Sequence, residues 1–184
     1  MSNQRYHNSG LFQLIPNLWD DTKLFALGLW ERLIERCDVV IARTVAEEAV
    51  HTGQCDCLNY IDFPFEEADE QGRIKIIDMP LPAIRSFLRD SNIGMRYAID
   101  PGEAETLAFL SNSSENFILC TADGPVFSAL GFLDKGESGI SLEELLQKSG
   151  LLASHTLEWR FSKKFREKYT RIGQVDSLQG RGLR

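Results

Sequence analysis

Two hydrophobic periods alternate along the chain, and the switch between them is sharpest from Asp100 to Asp123. Ala104, Leu107, Ala108 and Ser111 recur at helical spacing, whereas Phe117-Ile118-Leu119-Cys120 is a continuous apolar run of strand length. The first pattern predicts a helix with Asp100 and Pro101 at its start. The second predicts a strand covered on both faces. Asp123 follows that strand directly. An acid at the C-terminal end of a buried strand, beside an acid opening the preceding helix, lies where open α/β sheets take their ligands.

The alternation continues through the rest of the chain. Leu11 to Ile15 is a short apolar run interrupted by Pro16, and Asp20-Asp21-Thr22 comes soon after. Either acid is a candidate site residue, or an N-cap for a helix from Lys23 to about Arg36 that carries Leu24, Leu27, Trp30, Leu33 and Ile34 on one face. Cys37 to Ile41 predicts a second buried strand. Thr44 and Glu47 have capping-box spacing, which gives Glu47 a structural task. Glu48, nearer the face of Val45 and Ala49, is then the acid that leans toward a crevice. Asn59 to Phe63 and Arg73 to Ile77 predict two strands joined by the acidic loop Glu66-Glu67-Ala68-Asp69-Glu70, a hairpin-like insertion. Helices are predicted from Pro80 to Arg89, from Gly124 to Gly131, and from Leu142 to Lys148, the last opened by a Ser141–Glu144 capping box. Helices alternating with short buried strands predict an α/β fold, a three-layer sandwich with a mainly parallel central sheet flanked by helices. Leu157, Phe161, Phe165 and Tyr169 recur every four residues, a stripe that docks a C-terminal helix on the body. The chain is accordingly divided into an α/β domain, residues 1–150, and a basic helical extension, residues 151–184.

Composition narrows the function classes. The 184 residues suit one domain with a sizeable core and an appendage, and 43% hydrophobic with 26% charged residues reads as globular. No apolar run reaches the roughly 18 residues of a membrane span, and the polar start MSNQRYHNSG is unlike a signal peptide, so the expected compartment is the cytoplasm, with no membrane partner. Cys37, Cys55, Cys57 and Cys120 are too few and too irregular for a disulfide framework. One Cys-x-Cys with His51 nearby lacks the paired knuckles of a zinc site. The net charge of -7 is unevenly spread: from His155 onward there are eight Lys or Arg against three Asp or Glu, so the tail is +5 and the remainder -12. An acidic body binds nucleic acid only where metal ions or the basic tail offset repulsion. No Gly-x-Gly-x-x-Gly or Walker loop follows any candidate strand, which argues against a nucleotide-binding domain.

Gly102-Glu103-Ala104-Glu105, the apolar strand ending in Thr121-Ala122-Asp123, and Thr44-Val45-Ala46-Glu47-Glu48 upstream together resemble the PIN-domain nucleases, over roughly Leu11 to Gly150. The resemblance implies a metal-dependent ribonuclease. Its acidic set would be Asp20 or Asp21, Glu48, Glu103 and Asp123, holding Mg²⁺ or Mn²⁺, with Thr121 as a hydrogen-bonding neighbour. Such ions prefer oxygen ligands, can turn water into hydroxide, and neutralise phosphate in an in-line displacement. On a helical wheel Glu103 borders the wall toward Leu107 and Leu110, and Glu105 lies farther round. Asp100 to Glu103 also has capping-box spacing, and Asp123 is placed to cap the following helix. Two departures mark the match: the first Asp is displaced from its strand, and Ala122 stands where many members have a second Asp. They keep a catalytically degenerate module, binding RNA or a protein without cleavage, as the alternative. The expected partners are RNA, an antitoxin protein if the chain is the toxin of such a pair, and a second copy in a homodimer. Lys163, Lys164 and Arg166 in the tail, with Arg160 and Arg171, are the expected phosphate contacts.

Overall fold

The structure, a computed structural model, describes residues 12–14, 29–52, 65–151 and 157–180. It is mixed α/β. In chain order the elements are β1 Phe12–Leu14, α1 Leu29–Ile34, β2 Asp38–Ala42, α2 Arg43–Thr52, α3 Phe65–Glu70, β3 Ile74–Ile77, α4 Leu81–Ser91 and α5 Ile93–Arg96. There follow α6 Pro101–Asn112, β4 Phe117–Cys120, α7 Gly124–Phe132, a 3-10 turn at Gly136–Ser138, β5 Gly139–Ile140, α8 Leu142–Lys148, a second 3-10 turn at Trp159–Phe161, and α9 Lys163–Leu178.

The strands form one sheet in the order β3-β2-β1-β4-β5, and every pairing is parallel. Phe12 of β1 lies opposite Asp38 of β2 on one side and Phe117 of β4 on the other. The burial of β2 and β4 matches their unbroken apolar runs, since Val39, Val40, Ile41, Phe117, Leu119 and Cys120 are all buried. Leu33, Leu107, Phe127, Leu130, Leu145 and Leu146 complete the core from α1, α6, α7 and α8. Each such side chain contributes about 1.5–3 kcal/mol by leaving water.

The hairpin-like insertion is corrected. Residues 66–70 are not a loop but lie in α3, and Ile74–Ile77 pairs in parallel with Val39–Ala42 as an edge strand of the main sheet. Phe65 and Ala68, one turn apart, are the buried positions of α3, and Glu66 and Glu67 fall in its first turn, where carboxylates suit the helix dipole. Asp69 Oδ1 accepts the Ile76 N–H at 2.9 Å, so the acid run also serves the strand. The other proposed hairpin strand, Asn59 to Phe63, lies outside the described residues.

The tail is fastened to the body by its aromatic stripe and by glycine. Phe161 and Phe165 are buried, with Phe165 6.3 Å from Phe127 and 4.6 Å from Tyr169 between ring centroids. The stripe is not one helix: Ser162 caps α9 by accepting the Phe165 N–H, so Leu157 and Phe161 precede it. A Cβ on Gly173 would overlap the Ser128 carbonyl and come within 2.7 Å of the Phe132 nitrogen, and one on Gly131 would overlap the Thr170 carbonyl. Helices α7 and α9 thus cross backbone against backbone. Asp176 closes the join by accepting from Tyr97 Oη at 3.1 Å and Arg96 Nε at 3.3 Å, while Arg96 also stacks over Phe132. Among the described residues no helix is long and apolar enough to cross a membrane.

Candidate functional site

Strand order reverses at β1: the chain runs from β1 through β2 to β3 on one side, then returns to β4 and β5 on the other. The crevice of such a sheet lies outside the C-terminal ends of the two strands flanking the reversal, here β1 and β4. Thr121, Ala122 and Asp123 leave β4 at that point. Thr121 is buried, and its Oγ1 accepts the Asp123 N–H at 3.0 Å. Asp123 caps α7 by accepting the Val126 N–H at 3.3 Å. Asp20 and Asp21 lie outside the described residues.

The two glutamates of Gly102-Glu103-Ala104-Glu105 have different partners. Glu103 completes a capping box: its N–H donates to Asp100 Oδ1 at 2.8 Å, and its Oε2 accepts the Asp100 N–H at 3.1 Å. Glu105 accepts the Thr44 N–H at 2.9 Å through Oε2 and the Met79 N–H at 2.8 Å through Oε1. One carboxylate therefore ties the residues that leave β2 to those that leave β3. This corrects two expectations. The wheel set Glu105 apart from the wall, yet it is 2% exposed, as is Glu103, because the first two turns of α6 are buried on nearly every side. Thr44 was to open α2 with a Glu47 box, but α2 begins at Arg43, Glu47 is exposed, and Thr44 gives its N–H to Glu105.

Glu48 is half-buried and faces the start of α6. Burial, with the negative charge of Asp100 nearby, holds its carboxyl above the usual carboxylate range. The two helix starts can meet because residue 102 is glycine: a Cβ there would come 2.7 Å from Val45 Cγ2. Asp100, the acid that opens α6, thus lies close enough to Glu48 to act on its carboxyl. Among the described residues, no group of three or more His, Cys, Asp or Glu is placed to hold a metal ion. Glu48 with Asp100 is an all-oxygen pair of the kind Mg²⁺ or Mn²⁺ uses, and Mg²⁺ typically takes only about one or two carboxylates besides water and phosphate.

In the tail the expected phosphate contacts separate. Arg166 is corrected: its Nε and Nη2 donate to the two oxygens of Glu144 at 2.7 and 3.0 Å, with both side chains largely buried, so it clamps α9 to α8. Burial alone would raise the Glu144 carboxyl, but the bonds from Arg166 and Ser141 outweigh it and hold the carboxyl below its usual range. Lys163 is exposed, with its backbone N–H on Glu143 Oε2 at 2.7 Å and its Nζ 3.6 Å from Glu167. Lys164 and Arg171 are exposed. Arg160 lies 3.6 Å from Glu158 and stacks over Phe161. Comparison of the chain with protein-family models, with curated proteins and with solved structures found no match to any of them.

Proposed function

We propose that the chain is a divalent-metal-dependent ribonuclease whose reaction centre lies outside the C-terminal ends of β1 and β4. The observation that carries this reading is the reversal of an all-parallel sheet at β1, with Asp123 ending β4 at the crevice. Right-handed crossovers would put α1 to α3 on one face of the sheet and α4 to α7 on the other, the three-layer PIN-like arrangement that the sequence resemblance implies. In this reading Glu48, Asp123 and Asp20 or Asp21 supply carboxylate oxygens, Glu103 holds the start of α6 beside them, and Thr121 fixes the backbone of Asp123. A bound Mg²⁺ or Mn²⁺ would supply an activated water and charge neutralisation at the phosphate. Lys163 and Lys164 would meet the RNA backbone.

A second reading, a PIN-like module that binds without cleaving, is favoured by one feature. Both Glu103 and Asp123 already accept a capping N–H. The two readings separate in one experiment. Mn²⁺ is titrated calorimetrically into the wild type, Glu48→Gln and Asp123→Asn, and cleavage of a labelled single-stranded RNA is followed with Mn²⁺ and with EDTA. The ribonuclease reading expects Mn²⁺-dependent cleavage that both substitutions remove along with most of the heat of binding. Cleavage that survives both substitutions, or RNA binding with no cleavage under any metal, would overturn it.

A further inference from the structure

We propose that the outer face of α9 is the docking site for an acidic amphipathic helix of a partner protein. The inner face of α9 is fixed on α7 by Phe165, Thr170 and Gly173. Opposite it, Lys164, Lys168, Arg171, Val175 and Leu178 follow one another at spacings of four, three, four and three residues. That is the repeat of a helix–helix seam, and it keeps all five side chains on one line about 21 Å long. Val175 is 41% and Leu178 88% exposed, Ile172 beside them is 41% exposed, and the three cations are exposed. Among the described residues Lys164 and Arg171 have no carboxylate within ion-pair distance; Glu167 on the flank lies by Lys163, and Asp176 faces inward to Arg96 and Tyr97.

The composition of the line selects its occupant. Its N-terminal half is cationic and its C-terminal half aliphatic. A second copy of α9 is a poor mate: laid parallel it sets cation on cation, and laid antiparallel it sets cations against aliphatics. An RNA strand can use the cations but leaves Val175 and Leu178 exposed, because single strands stack on aromatic rings rather than on aliphatic side chains. A helix lying in a lipid surface needs an apolar face along its whole length, and here the cations occupy the same line as the aliphatics. A helix with carboxylates on the first half of its seam and aliphatics on the second satisfies both halves when it runs parallel to α9. Its acids then also sit near its own N-terminus, where the dipole favours them.

The inference does not depend on the ribonuclease reading, and its test uses neither metal nor cleavage. The probe is a fluorescent helical peptide of about the length of α9, with Glu at three and Leu at two seam positions in matching order. The control has the same composition scrambled so that these residues share no face. Binding to the full chain is read by anisotropy, beside a labelled oligouridylate and vesicles containing phosphatidylserine. We expect the ordered peptide to bind at least about tenfold more tightly than the scrambled one, a gap of about 1.4 kcal/mol. Val175→Ser with Leu178→Ser should weaken it by about tenfold or more and leave the oligouridylate unchanged. Lys168→Gln with Arg171→Gln should weaken it and flatten its salt dependence. These side chains are exposed, and unchanged circular dichroism would exclude unfolding. Equal binding of ordered and scrambled peptides, no loss on replacing the aliphatics, or oligouridylate or vesicles binding through Val175 and Leu178 would each overturn the assignment.

Discussion

Glu105 offers the sharpest quantitative check on this structure. Its carboxylate is almost fully enclosed and accepts the Thr44 and Met79 N–H groups, which belong to two strand ends separated in sequence by more than thirty residues. Replacement by Ala leaves both N–H groups without their acceptor, and each unsatisfied buried donor costs about 1–3 kcal/mol. The expected loss for Glu105→Ala is therefore about 2–6 kcal/mol. Glu105→Gln keeps one acceptor oxygen but turns its amide NH₂ toward the other N–H, so it should lose about half as much. For a chain of this size about 2–4 °C of Tm accompanies each kcal/mol, giving a fall of about 4–24 °C for the Ala variant. Thermal and urea unfolding followed by circular dichroism supply the numbers. Hydrogen exchange supplies the location: the Thr44 and Met79 amides should lose protection more than the amides in the middle of β2. An Ala variant within about 1 kcal/mol of the wild type, or unchanged protection at those two amides, would refute the brace.

Other consequences are equally direct. Asp123→Asn should abolish Mn²⁺-dependent cleavage while shifting Tm by no more than about 2 °C, because Asn caps a helix as well as Asp does; a large Tm loss with cleavage intact would mean that Asp123 only caps. Glu48→Gln should be neutral or stabilising near pH 7, since a carboxyl whose folded pKa is raised favours folding below its unfolded pKa and loses that contribution as pH rises through the folded value; unfolding midpoints at pH 4 and 7, in wild type and variant, read the sign. The Glu144–Arg166 pair runs the other way. Its lowered carboxyl stabilises above the unfolded value near 4.5 and stops doing so as pH falls through the folded one, so Glu144→Gln should flatten the acid limb of the stability curve. A double-mutant cycle on the two residues should give a coupling of about 1–3 kcal/mol. Gly173→Ala, which forces a methyl into the α7–α9 crossing, should destabilise by about 1–3 kcal/mol or more, and normal stability would show that the two backbones are not in contact.

The parts legible in the sequence are those where burial and local chemistry agree. Phe117–Cys120 reads as a buried strand because it is covered on both faces, and Ser141 with Glu144 reads as a capping box because all its atoms lie within four residues. The docking of the tail through Phe165 and Tyr169 is legible in their four-residue spacing, whereas Phe161, of the same stripe, is buried from a 3-10 turn that precedes α9. What escaped depends on partners distant in the chain. Residues 66–70 look like a solvated loop by charge, whereas Phe65 and Ala68, one turn apart, are buried in a helix. Nothing near Arg166 in sequence announces Glu144, twenty-two residues away, which removes it from the basic surface. The two-residue β5 is too short to carry any period.

The same distinction bears on how much the Gly102-Glu103-Ala104-Glu105 motif says about chemistry. Gly102 is needed where Val45 meets the helix start, Glu103 closes the cap with Asp100, and Glu105 joins the ends of β2 and β3. The glycine and both glutamates of the motif therefore have a task in assembling the C-terminal edge of the sheet. A sequence pattern met for these reasons supports the architecture more strongly than it supports catalysis. The proposal of hydrolysis rests instead on residues outside the motif: Glu48, whose carboxyl is held above its usual range by burial and by Asp100, Asp123 at the end of β4, and the acids Asp20 and Asp21 of the sequence. Substitution of Asp20 and Asp21 together is accordingly the variant in which the two readings part most cleanly. A ribonuclease loses Mn²⁺-dependent cleavage with its fold intact, and a binding module retains its RNA affinity unchanged.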